Sequence, residues 1–148
     1  MVWPAVEQVP EAWLGQGLRF SEGTQELVQP MNGPCGVLAA VHGVVVARAL
    51  AAGEAVGPNT PVTDAALASA LAAILQQCAG EGQPIQLPAW ASDVGKDVCV
   101  VEVASSEAIS TVLAAIDAFK GRGGCVLLVY AVLLTRGVDQ VKHPAGHK

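Results

Sequence analysis

Apolar positions in this chain come in blocks, and the blocks differ in period. From Gly36 to Leu50 the run GVLAAVHGVVVARAL puts apolar residues on every helical face, with His42 and Arg48 as its only large polar residues. A helix apolar all round is a buried helix, so a buried helix is expected here, although the valines also suit a strand. Thr63-Asp64 opens a second helix, DAALASALAAILQQC, which Gly80 can end at its C′ position. Residues 97–104, DVCVVEVA, alternate in polarity among β-branched residues and predict a strand. Ser105 or Ser106 stands where it can cap a third helix, EAISTVLAAIDAFK, ended by Gly121, Gly123 and Gly124. The stretch that follows, CVLLVYAVLLTRG, is thirteen residues long and ends in Arg-Gly. That length favours a helix over a buried strand.

The intervening segments read as connections. Residues 1–15 hold two Pro and two Trp and predict an irregular lead-in. GLRFSE (17–22) predicts a short strand or an extended approach. AAGEAVGPNTPV (51–62) and AGEGQPIQLPAW (79–90) predict loops. HPAGHK (143–148) predicts a disordered tail. No internal repeat or low-complexity tract is present. The pattern predicts a helix-rich α+β fold.

Composition sharpens this picture. The chain has 148 residues, 52% hydrophobic and 14% charged, with six aromatic residues. That is enough for one domain with a core built mainly from Val, Leu and Ala. Net charge is −5, and residues 1–95 carry only Arg19 and Arg48 against eight carboxylates. No basic stripe exists, so nucleic acid is a poor partner. The longest apolar run, CVLLVYAVLL (125–134), is about half of what spans a bilayer, so no membrane partner is expected. The N-terminus has no basic segment leading into an apolar run, as a secretory signal would. An intracellular protein, cytoplasmic or nuclear, with reduced thiols is expected.

The candidate chemistry lies in QPMNGPCGVLAAVHG (29–43). Cys35 stands where a turn gives way to a helix. The unpaired N–H groups and positive end of a helix start favour a thiolate over a thiol. The same N–H groups, that of Cys35 among them, can face a developing oxyanion. Gly33-Pro34 makes a tight entry, and Gly36 leaves room for a substrate backbone. The bland alternative is a buried, inert thiol, and Cys78, Cys99 and Cys125, lying in apolar segments, are read that way. Neither a C-x-x-C pair nor a Cys/His spacing suited to zinc occurs, so no metal or other cofactor is called for. His42 lies seven residues past Cys35, about 10 Å along a helix axis, whereas a base must come within about 3 Å of its proton. It is expected to be a buried, hydrogen-bonded histidine. His143 and His147 lie in the tail, where nothing holds an imidazole in place. Gln29, six residues before Cys35, can fold back as an oxyanion donor or be a plain turn residue.

Two blocks carry a family resemblance. QGLRFSEGTQELVQPMNGPCGVLAAVHGVVVARAL (16–50) and GRGGCVLLVYAVLLTRGVDQVK (121–142) resemble the MINDY family of deubiquitinases, most of all the branch formerly described as family with sequence similarity 188. The resemblance implies a papain-like cysteine peptidase fold and hydrolysis of isopeptide bonds in lysine-linked polyubiquitin. It makes Cys35 the nucleophile and Gln29 the oxyanion-hole glutamine. His42 stands where relatives more usually have Gln and matches no catalytic residue. The family's catalytic His comes beyond the Leu-Thr-Arg-Gly segment, in the second half of a domain about twice this length. The expectation is therefore the N-terminal part of a deubiquitinase catalytic domain over 16–142, an incomplete fold whose base is missing. The alternative is a catalytically inactive ubiquitin-binding or regulatory fragment of such an enzyme.

Overall fold

A computed structural model describes residues 9–137. The fold is α+β and helix-rich, with the elements α1 (Glu11–Leu14), α2 (Cys35–Ala51), α3 (Asp64–Ala79), β1 (Ile85–Trp90), β2 (Val98–Val103), α4 (Ala108–Ala114), α5 (Ile116–Lys120) and α6 (Gly124–Arg136). A 3₁₀ turn, Ser105–Glu107, leads into α4. His143, His147 and the tail expected at 143–148 lie outside the described residues.

The centre of the fold is α3. It buries Leu67, Ala68, Ala70, Leu71, Ala72 and Leu75, and packs against α2, α4 and α6. Its alanines let neighbouring backbones approach on several sides. Its start is held as expected: the Thr63 hydroxyl accepts from the Ala66 N–H at 3.1 Å, which satisfies one of the unpaired first-turn donors. Gly80 ends it at φ 90°, a conformation that favours glycine.

Helix α2 forms where the apolar run predicts it, but it is not buried all round. Leu38, Val41 and Val45 face the core, whereas Leu50 is 62% exposed and Ala39, Ala40, Gly43 and Ala47 line the outer face. The exposed positions are mostly small, and hydropathy alone does not tell an Ala-lined surface from a buried one. The more deeply embedded helix is α6, with Gly124–Leu128, Tyr130 and Ala131 all buried.

Three further expectations are corrected. Segment 79–90 is not all loop, because β1 pairs antiparallel with β2 from Ile85↔Val103 to Trp90↔Val98. Pro84 and Pro88 conceal this strand in the sequence. The Ala91 N–H bonds the Asp97 carbonyl at 2.8 Å in the same register. That fixes the phase of the ladder and places Pro88 in a non-hydrogen-bonded pair, where its missing N–H costs β2 nothing. The edge of β1 facing away from β2 is covered by α6, whose Thr135 hydroxyl accepts from the Gln86 N–H at 2.9 Å. The helix expected from Glu107 to Lys120 breaks at Ala115 (φ −97°, ψ 9°), and the bend turns Val112, Ile116 and Phe119 alike into the core. Neither Ser105 nor Ser106 caps a helix through its side chain.

The described part of the lead-in, from residue 9, contains the single-turn helix α1. It runs along the α5–α6 junction. The Leu18 N–H bonds the Phe119 carbonyl at 2.8 Å, Gly123 bonds Leu14 at 2.7 Å, and Cys125 bonds Gln16 at 3.1 Å. Arg122 Nη2 donates to both carboxylate oxygens of Glu11, at 2.6 and 2.8 Å. The expected extended approach at 17–22 is a small hairpin, with a bridge between Phe20 and Leu27. Among the described residues no helix is long and apolar enough to cross a membrane.

Candidate active site

Cys35 is the first residue of α2 and is exposed. The turn before it has a definite form. Pro34 has φ −74° and ψ 64°, and the Cys35 N–H bonds the Gly33 carbonyl at 2.8 Å. This is an inverse γ-turn, for which the proline ring already fixes φ. Val37 and Leu38 both donate to the Pro34 carbonyl. The Gly36 N–H has no partner among the described residues, and space around Gly36 is open. The free donor in the first turn is thus that of Gly36, not that of Cys35 as the sequence suggests.

Gln29 reaches the thiol. Its Nε2 donates to Cys35 Sγ at 3.0 Å, and the thiol in turn faces the Gly33 carbonyl at 3.4 Å. Three features hold this arrangement. The hairpin over 19–28 brings Val28 back to Arg19, whose carbonyl accepts the Val28 N–H at 2.8 Å. Buried Gln16 donates to the carbonyls of Gly17 and Val28, both at 2.7 Å, which anchors the residue next to Gln29. On the other side α1 supports the turn, since a Cβ on Gly33 would lie 2.9 Å from the Ala12 carbonyl. Neither Gln16 nor α1 has a sequence signal for this role. Gln16 is a polar residue between two glycines, and α1 is too short to show a period.

His42 is not brought to Cys35. Helix α2 is continuous between them, so they stand two turns apart. His42 is half-buried and packs edge-on against Phe20, with ring centroids 6.3 Å apart. Its Nε2 is buried with no partner, so the hydrogen-bonded histidine expected there is not found at that nitrogen. No imidazole among the described residues stands within reach of Cys35. Beside the site, an apolar groove of about 280 Å³ runs from Gly36 between α2, α3 and α6, past Val37, Ala40, Ile74 and Val132.

The other thiols differ from one another. Cys125 is fully buried and burial pushes its pKa up to about 12. Cys78 is half-buried, and burial raises its pKa against a smaller opposing pull from Arg136. Cys99 is exposed on β2 and is not the core thiol expected from the sequence. A thiol-specific disulfide reagent at neutral pH should therefore modify Cys35 and Cys99 quickly, and Cys125 only on unfolding, because its thiolate is scarce until the pH nears 12. Rapid modification of Cys125 in the native protein, read by peptide mapping, would contradict this packing.

The conserved domain of the deubiquitinating enzymes MINDY-3/4 matches residues 4–145. The mouse (Mus musculus) protein described as probable ubiquitin carboxyl-terminal hydrolase MINDY-4 is 28% identical over 165 aligned residues, covering 93% of this chain. The chain spans only 22% of that relative's length. No solved structure matches. With the match running through both the Gly-Pro-Cys turn and α6, the chain belongs to the family defined by the MINDY-3/4 deubiquitinating enzyme conserved domain.

Proposed function

We propose that this chain forms part of a papain-like, cysteine-type deubiquitinase, with Cys35 as nucleophile and Gln29 as an oxyanion donor. The observation that carries this reading is the 3.0 Å contact from Gln29 Nε2 to Cys35 Sγ at the start of α2. The Cys35 sulfur, as thiolate, attacks the isopeptide carbonyl carbon of lysine-linked polyubiquitin, and the carbonyl oxygen becomes an oxyanion. The Gln29 amide and the free Gly36 N–H stabilise that charge. The C–N bond then breaks, the lysine amine leaves with a proton, and water hydrolyses the thioester to carboxylate and thiol. A general acid–base must carry those protons. His42 is out of reach, so the reading assigns this role to an imidazole outside the described residues. The apolar groove beside Gly36 offers a bed for apolar residues of the chain being cut.

The absence of an imidazole near Cys35 among the described residues favours one second reading, a ubiquitin-binding or regulatory segment without turnover. A ubiquitin probe with a C-terminal electrophile separates the two. Slow labelling confined to Cys35, and lost in Cys35→Ala, is expected. An adduct that persists in Cys35→Ala, or that forms equally on Cys99, would overturn the assignment of the nucleophile. Ubiquitin binding with no labelling at all would favour the second reading. Fast labelling that depends on Cys35 would show that no further imidazole is required.

A further inference from the structure

The planarity of one peptide bond links a buried side chain to the candidate site. The Val28 carbonyl and the Gln29 nitrogen belong to the same rigid unit, so whatever orients that carbonyl also aims the Cα of Gln29. Gln16 Nε2 donates to the Val28 carbonyl and to the Gly17 carbonyl, both at 2.7 Å. Both partners only accept, so the amide cannot be turned over. Its Oε1 is left buried with no partner among the described residues, which by itself destabilises a fold. An apolar side chain of that length would avoid this penalty, so what the amide adds is placement. Its own base is fixed. Gln16 is 1% exposed, its carbonyl accepts from the Cys125 N–H at 3.1 Å, and a Cβ on neighbouring Gly17 would lie 2.1 Å from the Lys120 carbonyl oxygen. The segment it holds is less constrained. Val28 also donates to the Arg19 carbonyl, but from Gln29 to Asn32 no backbone hydrogen bond is made among the described residues, and Val28 and Pro30 border a niche of about 130 Å³.

We propose that Gln16 is a positioning residue for the reaction at Cys35: its bond to the Val28 carbonyl sets the peptide plane from which Gln29 reaches the sulfur. The proposal rests on the reading of Gln29 as oxyanion donor. A group misplaced by about 1 Å can slow a reaction on the order of 10²-fold. Gln16 is too buried to touch substrate, and its side chain bonds neither Cys35 nor Gln29 directly. Its effect on rate therefore runs through the placement of Gln29.

Gln16→Met tests this, because it removes the donor and keeps the length of the side chain. In the enzyme that also supplies the imidazole, Gln16→Met should lower kcat about 10- to 100-fold with KM nearly unchanged. The double variant Gln16→Met with Gln29→Ala should be no slower than Gln29→Ala alone, because one change acts through the other. In the 148-residue chain, nuclear magnetic resonance should show the Gln29 side-chain amide losing its cross-peaks to the Cys35 β-protons in Gln16→Met, with circular dichroism unchanged. Should Gln16→Met fail to fold, an ester in place of the Val28–Gln29 amide weakens the same carbonyl as an acceptor and leaves Gln16 intact, and the same losses are expected. A Gln29–Cys35 contact that persists in the variant overturns the positioning role. So does a kcat within about threefold of the parent, or a double variant slower than Gln29→Ala by the full Gln16→Met factor. A loss below about threefold for Gln29→Ala itself overturns the reading of Gln29, and the role of Gln16 with it.

Discussion

Gly124→Ala is expected to destabilise the fold by on the order of 3–5 kcal/mol, enough to threaten folding of a domain whose total stability is typically about 5–15 kcal/mol. A Cβ at position 124 would lie 1.8 Å from the Phe119 carbonyl oxygen and 2.5 Å from its carbon. These are backbone atoms, so no rotamer change relieves the overlap. The α5–α6 junction must open, and with it the Leu18–Phe119 and Cys125–Gln16 bonds that dock the lead-in. The position does not need a left-handed backbone, so the whole cost is steric. Gly43→Ala is the matching control. It lies inside α2 with nothing within 4 Å and should stabilise by about 0.5–1 kcal/mol through helix propensity. Thermal unfolding decides the matter: Gly124→Ala should melt roughly 10 °C or more below the parent, and a melt within about two degrees of it would show that the junction has slack.

If the proposed function holds, Gln29→Ala in the enzyme that also supplies the imidazole is expected to slow hydrolysis of a fluorogenic ubiquitin amide by about 10²–10³-fold in kcat, with KM nearly unchanged. The amide touches the sulfur in the resting protein, but in the proposed reaction its larger role comes when charge develops on the carbonyl oxygen. An interaction that strengthens only then lowers kcat rather than binding. Gln29→Glu should be at least as damaging, since it removes the N–H donors and sets a negative charge beside the reacting thiolate. The reaction of Cys35 with a small disulfide reagent should survive Gln29→Ala, because that reaction forms no oxyanion, and should slow in Gln29→Glu, whose charge disfavours the thiolate. A loss of less than about threefold in kcat for Gln29→Ala would remove Gln29 from the oxyanion site and leave it a turn residue.

The larger elements were legible because their signals are local. The apolar runs mark α2, α3 and α6, and Thr63 and Gly80 bound α3 on both sides. The Gln29–Cys35 proximity was legible only through the family resemblance, since six residues of spacing are compatible with many turns. Other features depend on partners distant in sequence. Strand β1 is hidden because Pro88 looks like a breaker until its register against Val100 is known. The covering of its other edge rests on Thr135, 49 residues away. The bend at Ala115 has no glycine or proline to announce it and follows from the need to bury Val112, Ile116 and Phe119 together. The exposure of Cys99 depends on which edge of the sheet is left open. The choice of Gly36 over Cys35 as free donor follows from the γ-turn at Pro34, which local propensity permits but does not dictate.

The docking of the lead-in has a consequence for the nascent chain. Leu18 waits for Phe119, and Gln16 for Cys125, so the hairpin that carries Gln29 cannot be locked until roughly a hundred more residues have emerged. At ordinary ribosomal speeds that interval is on the order of 5–20 s. Through it Cys35 can exist at the head of a helix without its amide neighbour in place. The thiol's surroundings are thus completed only once the start of α6 has emerged, and a ribosome stalled between Cys35 and Phe119 would present an unassisted cysteine.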